Sequence, residues 1–411
     1  MEGQRWYGLV RMETGKKCTD FGTHPLVHQR IGFCYSIPSP HQECFVKPDL
    51  RGRLRIPQGT EGFYLDEAYR HNMLTADVQR LLYRWGYLPV QTPVFDFYDS
   101  YAGLLSAEES RNVYRLIDRE GDLLMLRSDV TLFLAKQMGM ILTTEDLPMR
   151  VCYADTILRH QHPDDISKNE FFQTGVELIG PDDINADAEV ILLLQQTLAT
   201  IGIDRYFIHV GSRALFNAAF PDLDAPSARA LRRAVVLRDT GTIRDICTGL
   251  RVPPDRADLL LELFAFIGSD RELAALTARF DAVFTEAERE EIIRVRSLAA
   301  LLSEAGDGER VRIDLSEIGS QPYHTGVVFQ AYVDGLDSSV AAGGRYDRLY
   351  GVFGFDVPAV GFSVMLRKLQ EQTAGNDRYA PPQPARATGT AFVERVRDAE
   401  MRRSRGESVS L

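Results

Sequence analysis

Apolar positions repeat at two different periods along this chain, and the changes of period mark its elements. Leu65, Ala68, Met73, Leu74, Val78, Leu81 and Leu82 recur at helical spacing and predict a helix that stops at Gly86. GYLPVQTPVFD (86–96) is extended, and Pro89 and Pro93 place it at a sheet edge or a distorted position. VYRLIDREGDLLMLRSDVT (113–131) reads as a hairpin turning at Glu120-Gly121, followed by helical character in Thr131–Met138. Residues 150–159 and 170–179 form a second hairpin. NADAEVILLLQQTLATIGI (185–203) is a helix with an Asn185 or Asp187 cap and a Gly202 stop, and RYFIHVGS (205–212) is a strand.

From 211 to 305 the texture is helical: SARALRRAVVLRDTGTIRDICTGL, DRADLLLELFAFIG and EREEIIRVRSLAALLSEAG are all amphipathic. Strand pattern resumes in RVRIDLSEI and TGVVFQAYVDG, and AVGFSVMLRKLQEQ runs from strand into helix. Hairpins thus alternate with helices, without strict βαβ order. That predicts an α+β fold, a largely antiparallel sheet flanked by helices. The expected organisation is a core over 51–210 and 306–374, interrupted by a helical insertion over 211–305. Residues 375–411 open on a Pro-rich polar stretch and are expected to be a disordered tail. Residues 1–50 show no sustained period and are expected to be a disordered extension or the product of a mis-assigned start.

The second hairpin carries the first sign of chemistry. In a strand, residues two apart share a face. Gln173, Gly175 and Glu177 therefore point one way, and Phe172, Thr174, Val176 and Leu178 the other. A buried carboxylate needs a partner, and a small cationic ligand would supply one. The same alternation also fits a sheet with one solvated face. Arg159 ends the first strand and has the planar fork that suits carboxylate or phosphate. His160, His162, Asp164 and Asp165 lie too loosely in a loop to predict a metal site.

Composition narrows the function. The chain has 411 residues, 45% hydrophobic and 26% charged, with a net charge of −11. That acidity argues against general nucleic-acid binding. No apolar run is long enough for a membrane span, and no signal-peptide pattern opens the chain. Five cysteines without framework spacing fit reduced thiols and a cytoplasmic location. No G-x-G-x-x-G or Walker loop occurs, and no cofactor or metal is expected.

Several motifs in order carry a family resemblance over roughly 55–210 and 310–370. RVCYADTILRHQ…NEFFQTGVELIG resembles motif 2 of the class II aminoacyl-tRNA synthetases, in its histidyl form. AAGGRYDRLYGVFGFDVPAVGFSVMLRKL is similar to the histidyl motif 3 region, GYLPVQTPVFD to motif 1, LMLRSDVT to the "LRPEGT" segment and YHTGVVFQAY to the histidine-recognition segment. The resemblance implies a class II synthetase-like antiparallel sheet holding a histidine pocket. Asp129 falls where a Glu contacts the amino group, with Thr131 beside it. Gln173 falls on the amino-acid pocket, Glu177 where a carboxylate meets the imidazole, Tyr323 and His324 on a lining Tyr-Tyr pair, and Tyr346 on its wall.

The departures from that family concern adenylation, which needs cations around the phosphates. The arginine of "RGLDYY" falls on Gly319, the motif 3 arginine on Lys368 with Arg367 beside it, and the motif 2 glutamate on Gln161; Arg159 remains, as a possible anion or phosphate site. The small anticodon-binding domain that follows motif 3 in that family is not expected in the residues after 370. This combination resembles the paralogous family of regulatory subunits of ATP phosphoribosyltransferase. The resemblance implies a non-catalytic subunit that activates the short-form catalytic subunit in a hetero-octamer and binds histidine as a feedback effector, with no tRNA partner. The competing expectation is a divergent histidine–tRNA ligase or another histidine-activating enzyme.

Overall fold

The computed structural model describes residues 55–57, 59–60, 62–160, 169–221, 223–306, 308–373 and 375–411. The expectations for residues 1–50, and for Gln161, His162, Asp164 and Asp165, lie outside the described residues. Ile56–Leu411 forms one unit.

Its centre is a sheet of nine strands in the order β1-β5-β6-β12-β11-β10-β7-β9-β8. These are β1 (Leu88–Pro89), β5 (Met149–Leu158), β6 (Glu170–Ile179), β7 (Tyr206–Ser212), β8 (Ile267–Gly268), β9 (Val311–Asp314), β10 (Val327–Val333), β11 (Ala341–Arg345) and β12 (Ala359–Val364). The predicted hairpin of 150–159 and 170–179 is the pair β5 and β6, in register from Met149↔Ile179 to Leu158↔Glu170. All neighbours pair antiparallel except β1 with β5 and β7 with β9. Pro89 sits in the outermost strand, where a missing N–H breaks no ladder. A second, three-stranded sheet of β2 (Phe95–Phe97), β4 (Leu123–Leu126) and β3 (Arg115–Ile117) contains the first predicted hairpin; Gly121 turns it at φ +97°.

The face of β6 that carries Val176 and Leu178 meets α1 (Leu65–Arg84) and α3 (Ile184–Thr200) in the largest core, with Val360 and Val364 of β12 and Phe329 of β10. The opposite face is covered on one side by α2 (Val130–Ile141), whose Phe133 and Leu134 pack with Val151, Tyr153 and Ile179. Both faces of β6 are therefore covered, and the solvated-face alternative fails: Gln173 is 6% and Glu177 1% exposed.

Between β7 and β9 the chain forms six helices: α4 (Arg213–Ala219), α5 (Ala225–Val236), α6 (Thr240–Gly249), α7 (Pro254–Ala265), α8 (Asp270–Arg279) and α9 (Glu286–Ala305). This segment has its own core, around Leu215, Phe216, Leu260 and Phe264. The pattern hid one strand. Two residues after α7, β8, pair with β9 and fasten the insertion to the sheet edge.

Two expectations need correction. The cap of α3 is Asp183, not Asn185 or Asp187. Asp183 has extended backbone and accepts from the N–H groups of Asn185 and Ala186, whereas Asp187 is buried within the first turn and pairs with Arg345. Residues 375–411 also have structure. Tyr379 is fully buried, its hydroxyl donating to Asp77 of α1, and β13 (Ala385–Arg386) runs parallel to β14 (Val409–Ser410) across α11 (Phe392–Ser404), after α10 (Leu366–Gln370). Composition signalled disorder here because the apolar residues are few; those few find a slot.

A candidate amino-acid pocket

The second face of the sheet is built from small and polar residues in adjacent strands. Glu177 stands opposite Gly361 of β12, and Gly361 opposite Gly344 of β11; Gly175 stands opposite Ser363, and Ser363 opposite Ala342. With no bulk at these positions, a cavity of about 300 Å³ remains above the strands. A Cβ at Gly361 would overlap the Glu177 carboxylate. The space that Gly175 leaves is taken by the Tyr153 ring from β5, which a Cβ there would overlap, so Gly175 does not itself open the pocket between Gln173 and Glu177.

Asp129, Thr131, Arg159, Gln173, Glu177, Tyr323, His324 and Tyr346 all line this cavity. Glu177 lies at its floor. The Thr131 hydroxyl donates to one carboxylate oxygen at 2.7 Å and the Tyr346 hydroxyl to the other. Burial outweighs these bonds and pushes the Glu177 carboxyl up to about 8, with the Asp129 charge adding to the rise. Asp129 caps α2 through Leu132 N (3.0 Å) and accepts from the Tyr323 hydroxyl at 3.1 Å. Arg159 approaches the same oxygen of Asp129 at 3.6 Å and donates its Nε to Ser128 O at 2.7 Å. Tyr323 meets His324 and Tyr346 edge to face, 5.3 and 5.6 Å between centroids. Burial, with the Arg213 charge behind it, pushes His324 down to about 3, so its ring is neutral.

The pocket therefore has two negative or potentially negative groups at separate points, an aromatic wall, and one fixed cation among its described lining residues, Arg159. A ligand with two basic nitrogens and a carboxylate matches that distribution.

The structure also locates the departures. Gly319 has φ +72°, and a Cβ on it would overlap the His324 ring. Lys368 is turned away and donates to Ser338 Oγ and Ser339 O at 3.0 and 3.2 Å; Arg367 lies 4.3 Å over the Phe63 ring. Neither lines the cavity.

Sequence reading missed several contributors. Tyr153 sits directly across from Gly175 and was hidden in an apolar strand. Arg127, 3% exposed, donates to the carbonyls of Thr92 and Thr156 and so fixes the start of α2 beneath Asp129; it lies within LMLRSDVT, but nothing in that segment marks it as buried. Gln330 and Ser339 also line the cavity, and Gln330 donates to Glu317. As for metal, His209, Asp314 and Glu317 bring ligand atoms within 4.8 Å of one another. The near oxygen of Asp314 already receives Arg238, however, and Glu317 accepts from Gln330 and Tyr332.

The family model for histidyl-tRNA synthetase matches residues 59–369. The chain is 32% identical over 330 residues to the ATP phosphoribosyltransferase regulatory subunit of Bacillus pumilus, covering 80% of this chain and 83% of that one. It is 30% identical over 366 residues to the regulatory subunit of Desulfitobacterium hafniense, covering 87% and 91%. Among solved structures it superposes on one described as an ATP phosphoribosyltransferase regulatory subunit/histidyl-tRNA synthetase from Bacillus halodurans, with TM-score 0.77, 26% identity, and 87% and 92% of the chains covered. A histidyl-tRNA synthetase from Nostoc shares the fold at TM-score 0.71 and 17% identity, covering 87% and 85%.

Proposed function

We propose a regulatory function from the premise that this chain belongs to the family of ATP phosphoribosyltransferase regulatory subunits, on the histidyl-tRNA synthetase fold. It is a non-catalytic subunit of that glycosyltransferase. It activates a short-form catalytic subunit, in an assembly of four regulatory and four catalytic chains in the cytoplasm, and binds free histidine to inhibit the first step of histidine biosynthesis. The described helices include none long and apolar enough to cross a membrane.

The observation that carries the ligand is Glu177. A carboxyl pushed up to about 8 by burial keeps its proton at neutral pH. A neutral imidazole reaching the floor accepts a hydrogen bond from that carboxyl, and an imidazolium pairs with it once it has lost its proton, so the buried group has a partner in either form. Asp129, together with Tyr323, faces the ligand ammonium, and Arg159 its carboxylate. With a glycine at 319 and Lys368 turned away, no cations beyond Arg159 meet a triphosphate at this site among the described residues, which supports regulation over adenylation.

Mixing the purified chain with a short-form catalytic subunit from the same source tests the proposal. The rate of phosphoribosyl-ATP formation rises on mixing and falls when histidine is added; Glu177→Ala abolishes the fall while keeping the rise. Histidine-dependent ATP–pyrophosphate exchange by the chain alone would favour the ligase reading instead.

A further inference from the structure

The loop from Leu315 to Gly326, between β9 and β10, belongs to two cores. Leu315 and Ile318, each 1% exposed, are buried among the apolar residues of the helical insertion. A few residues on, Tyr323 and His324 face the cavity. One short loop therefore joins the interior of the insertion to the wall of the pocket.

The insertion also holds this loop by polar contacts. Arg213, the first residue of α4, donates Nη2 to Gly319 O at 2.7 Å and to Gln321 O at 3.1 Å. Arg238, just beyond α5, donates at 2.6 Å to Oδ2 of Asp314, the last residue of β9, whose Oδ1 accepts from Ser316 of the loop. Leu315 N donates to Phe266 O at 3.1 Å, where α7 runs into β8.

Arg213 stands out among these. It is 6% exposed, and no carboxylate pairs with it among the described residues. Its Nε has no partner, and the charge it feels, from Arg232, repels it. A buried guanidinium without a counter-charge costs stability. What it gains is a hold on two carbonyls that bracket Ser320, a residue of the pocket wall. Both bonds leave one nitrogen, Nη2, whose two in-plane N–H groups reach the two carbonyls.

We propose that Arg213 is a positioning residue through which the helical insertion sets the pocket loop, so that occupancy of the pocket and packing of the insertion are coupled. This rests on the histidine reading above. Coupling of this kind is reciprocal: whatever the insertion contributes to ligand affinity, the ligand returns as order in the insertion.

Hydrogen exchange by mass spectrometry on the full chain, with and without histidine, beside calorimetric titration, tests it. In the native chain histidine slows exchange in Arg213–Ala219 and in 264–268, segments that do not line the cavity. Arg213→Met removes that remote protection, keeps protection in β6, and weakens histidine binding about tenfold. Arg213→Lys, which keeps the charge on a shorter side chain without the planar guanidinium, recovers part of both. Should Arg213→Met fail to fold, Arg238→Met loosens the same loop at Asp314 from a side chain 38% exposed, and gives the same pattern more weakly. Histidine binding with protection confined to cavity segments overturns the coupling and leaves the pocket standing. Absence of histidine binding by the native chain overturns the ligand reading and this coupling with it.

Discussion

Glu177 shows how much a single side chain takes from its surroundings. In a strand pattern it is one polar residue in alternation; in the fold it is 1% exposed, beneath Thr131 and Tyr346. Its carboxyl titrates at about 8 when folded and near the ordinary glutamate value when unfolded. The folded state then holds the proton more tightly. The stability this group contributes to the folded protein is full below about pH 4.5 and is lost as pH rises through about 8. Glu177→Gln removes that loss. Relative to the parent, the variant should gain on the order of a few kcal/mol between pH 5 and pH 9, read from urea midpoints. Parallel pH curves for the two proteins would show that Glu177 is solvated after all. The same substitution should weaken histidine binding at pH 7, since an amide has no proton-linked charge to offer the imidazole.

At the scale of elements, periodicity served well where one face is apolar and poorly where a side chain has a distant partner. The helix of 65–84, the hairpin turn at Gly121 and the β5–β6 hairpin follow from local spacing. The start of α3 did not, because Asp183, Asn185 and Asp187 are all plausible caps by type and only geometry separates them. Asp183 is extended and reaches two N–H groups; Asp187 points into the protein at Arg345, which is 2% exposed and ties the end of β11 to α3 just before Tyr346. Two substitutions four residues apart should therefore differ. Asp183→Ala removes a cap and should cost about 1 kcal/mol. Asp187→Ala removes the one buried carboxylate that pairs with Arg345 among the described residues, leaving it the part-exposed Asp347 at 3.2 Å, and should cost about 2–3 kcal/mol. Chemical denaturation of the two variants distinguishes them, and equal losses would mean that the Arg345 pair is not maintained. Arg345 adjoins Tyr346, so Asp187→Ala should also weaken ligand binding, whereas Asp183→Ala should leave it nearly unchanged.

For the whole molecule, the tail makes the clearest test. Tyr379 is fully buried against α1, with Asp77 and the Thr200 carbonyl as hydroxyl partners, while the β13–α11–β14 unit has a small core of Ala387, Ala399 and Val409. Truncation after residue 384 should leave the melting temperature of the main unit nearly unchanged. Truncation after residue 375 should lower it by the equivalent of about 3–5 kcal/mol, as loss of a large buried aromatic does. Equal melting temperatures would return the tail to the disordered role that its composition proposes.

The amino-acid sequence by itself determined the α+β class through local periodicity, and through motifs whose residues stand in a fixed order it proposed a helical insertion and the residues of a pocket. Asp129, Gln173, Glu177, Tyr323 and Tyr346 were legible in that way, and the structure brings them to one cavity. Only the tertiary structure decided what surrounds them. Tyr153 fills the gap at Gly175, Arg127 fixes the helix that carries Asp129, and Arg213 and Arg238 join the insertion to the loop above the pocket. These contacts link positions from 22 to over 100 residues apart in the chain, and a side chain's distant partner leaves no trace in the local pattern of apolar and polar positions.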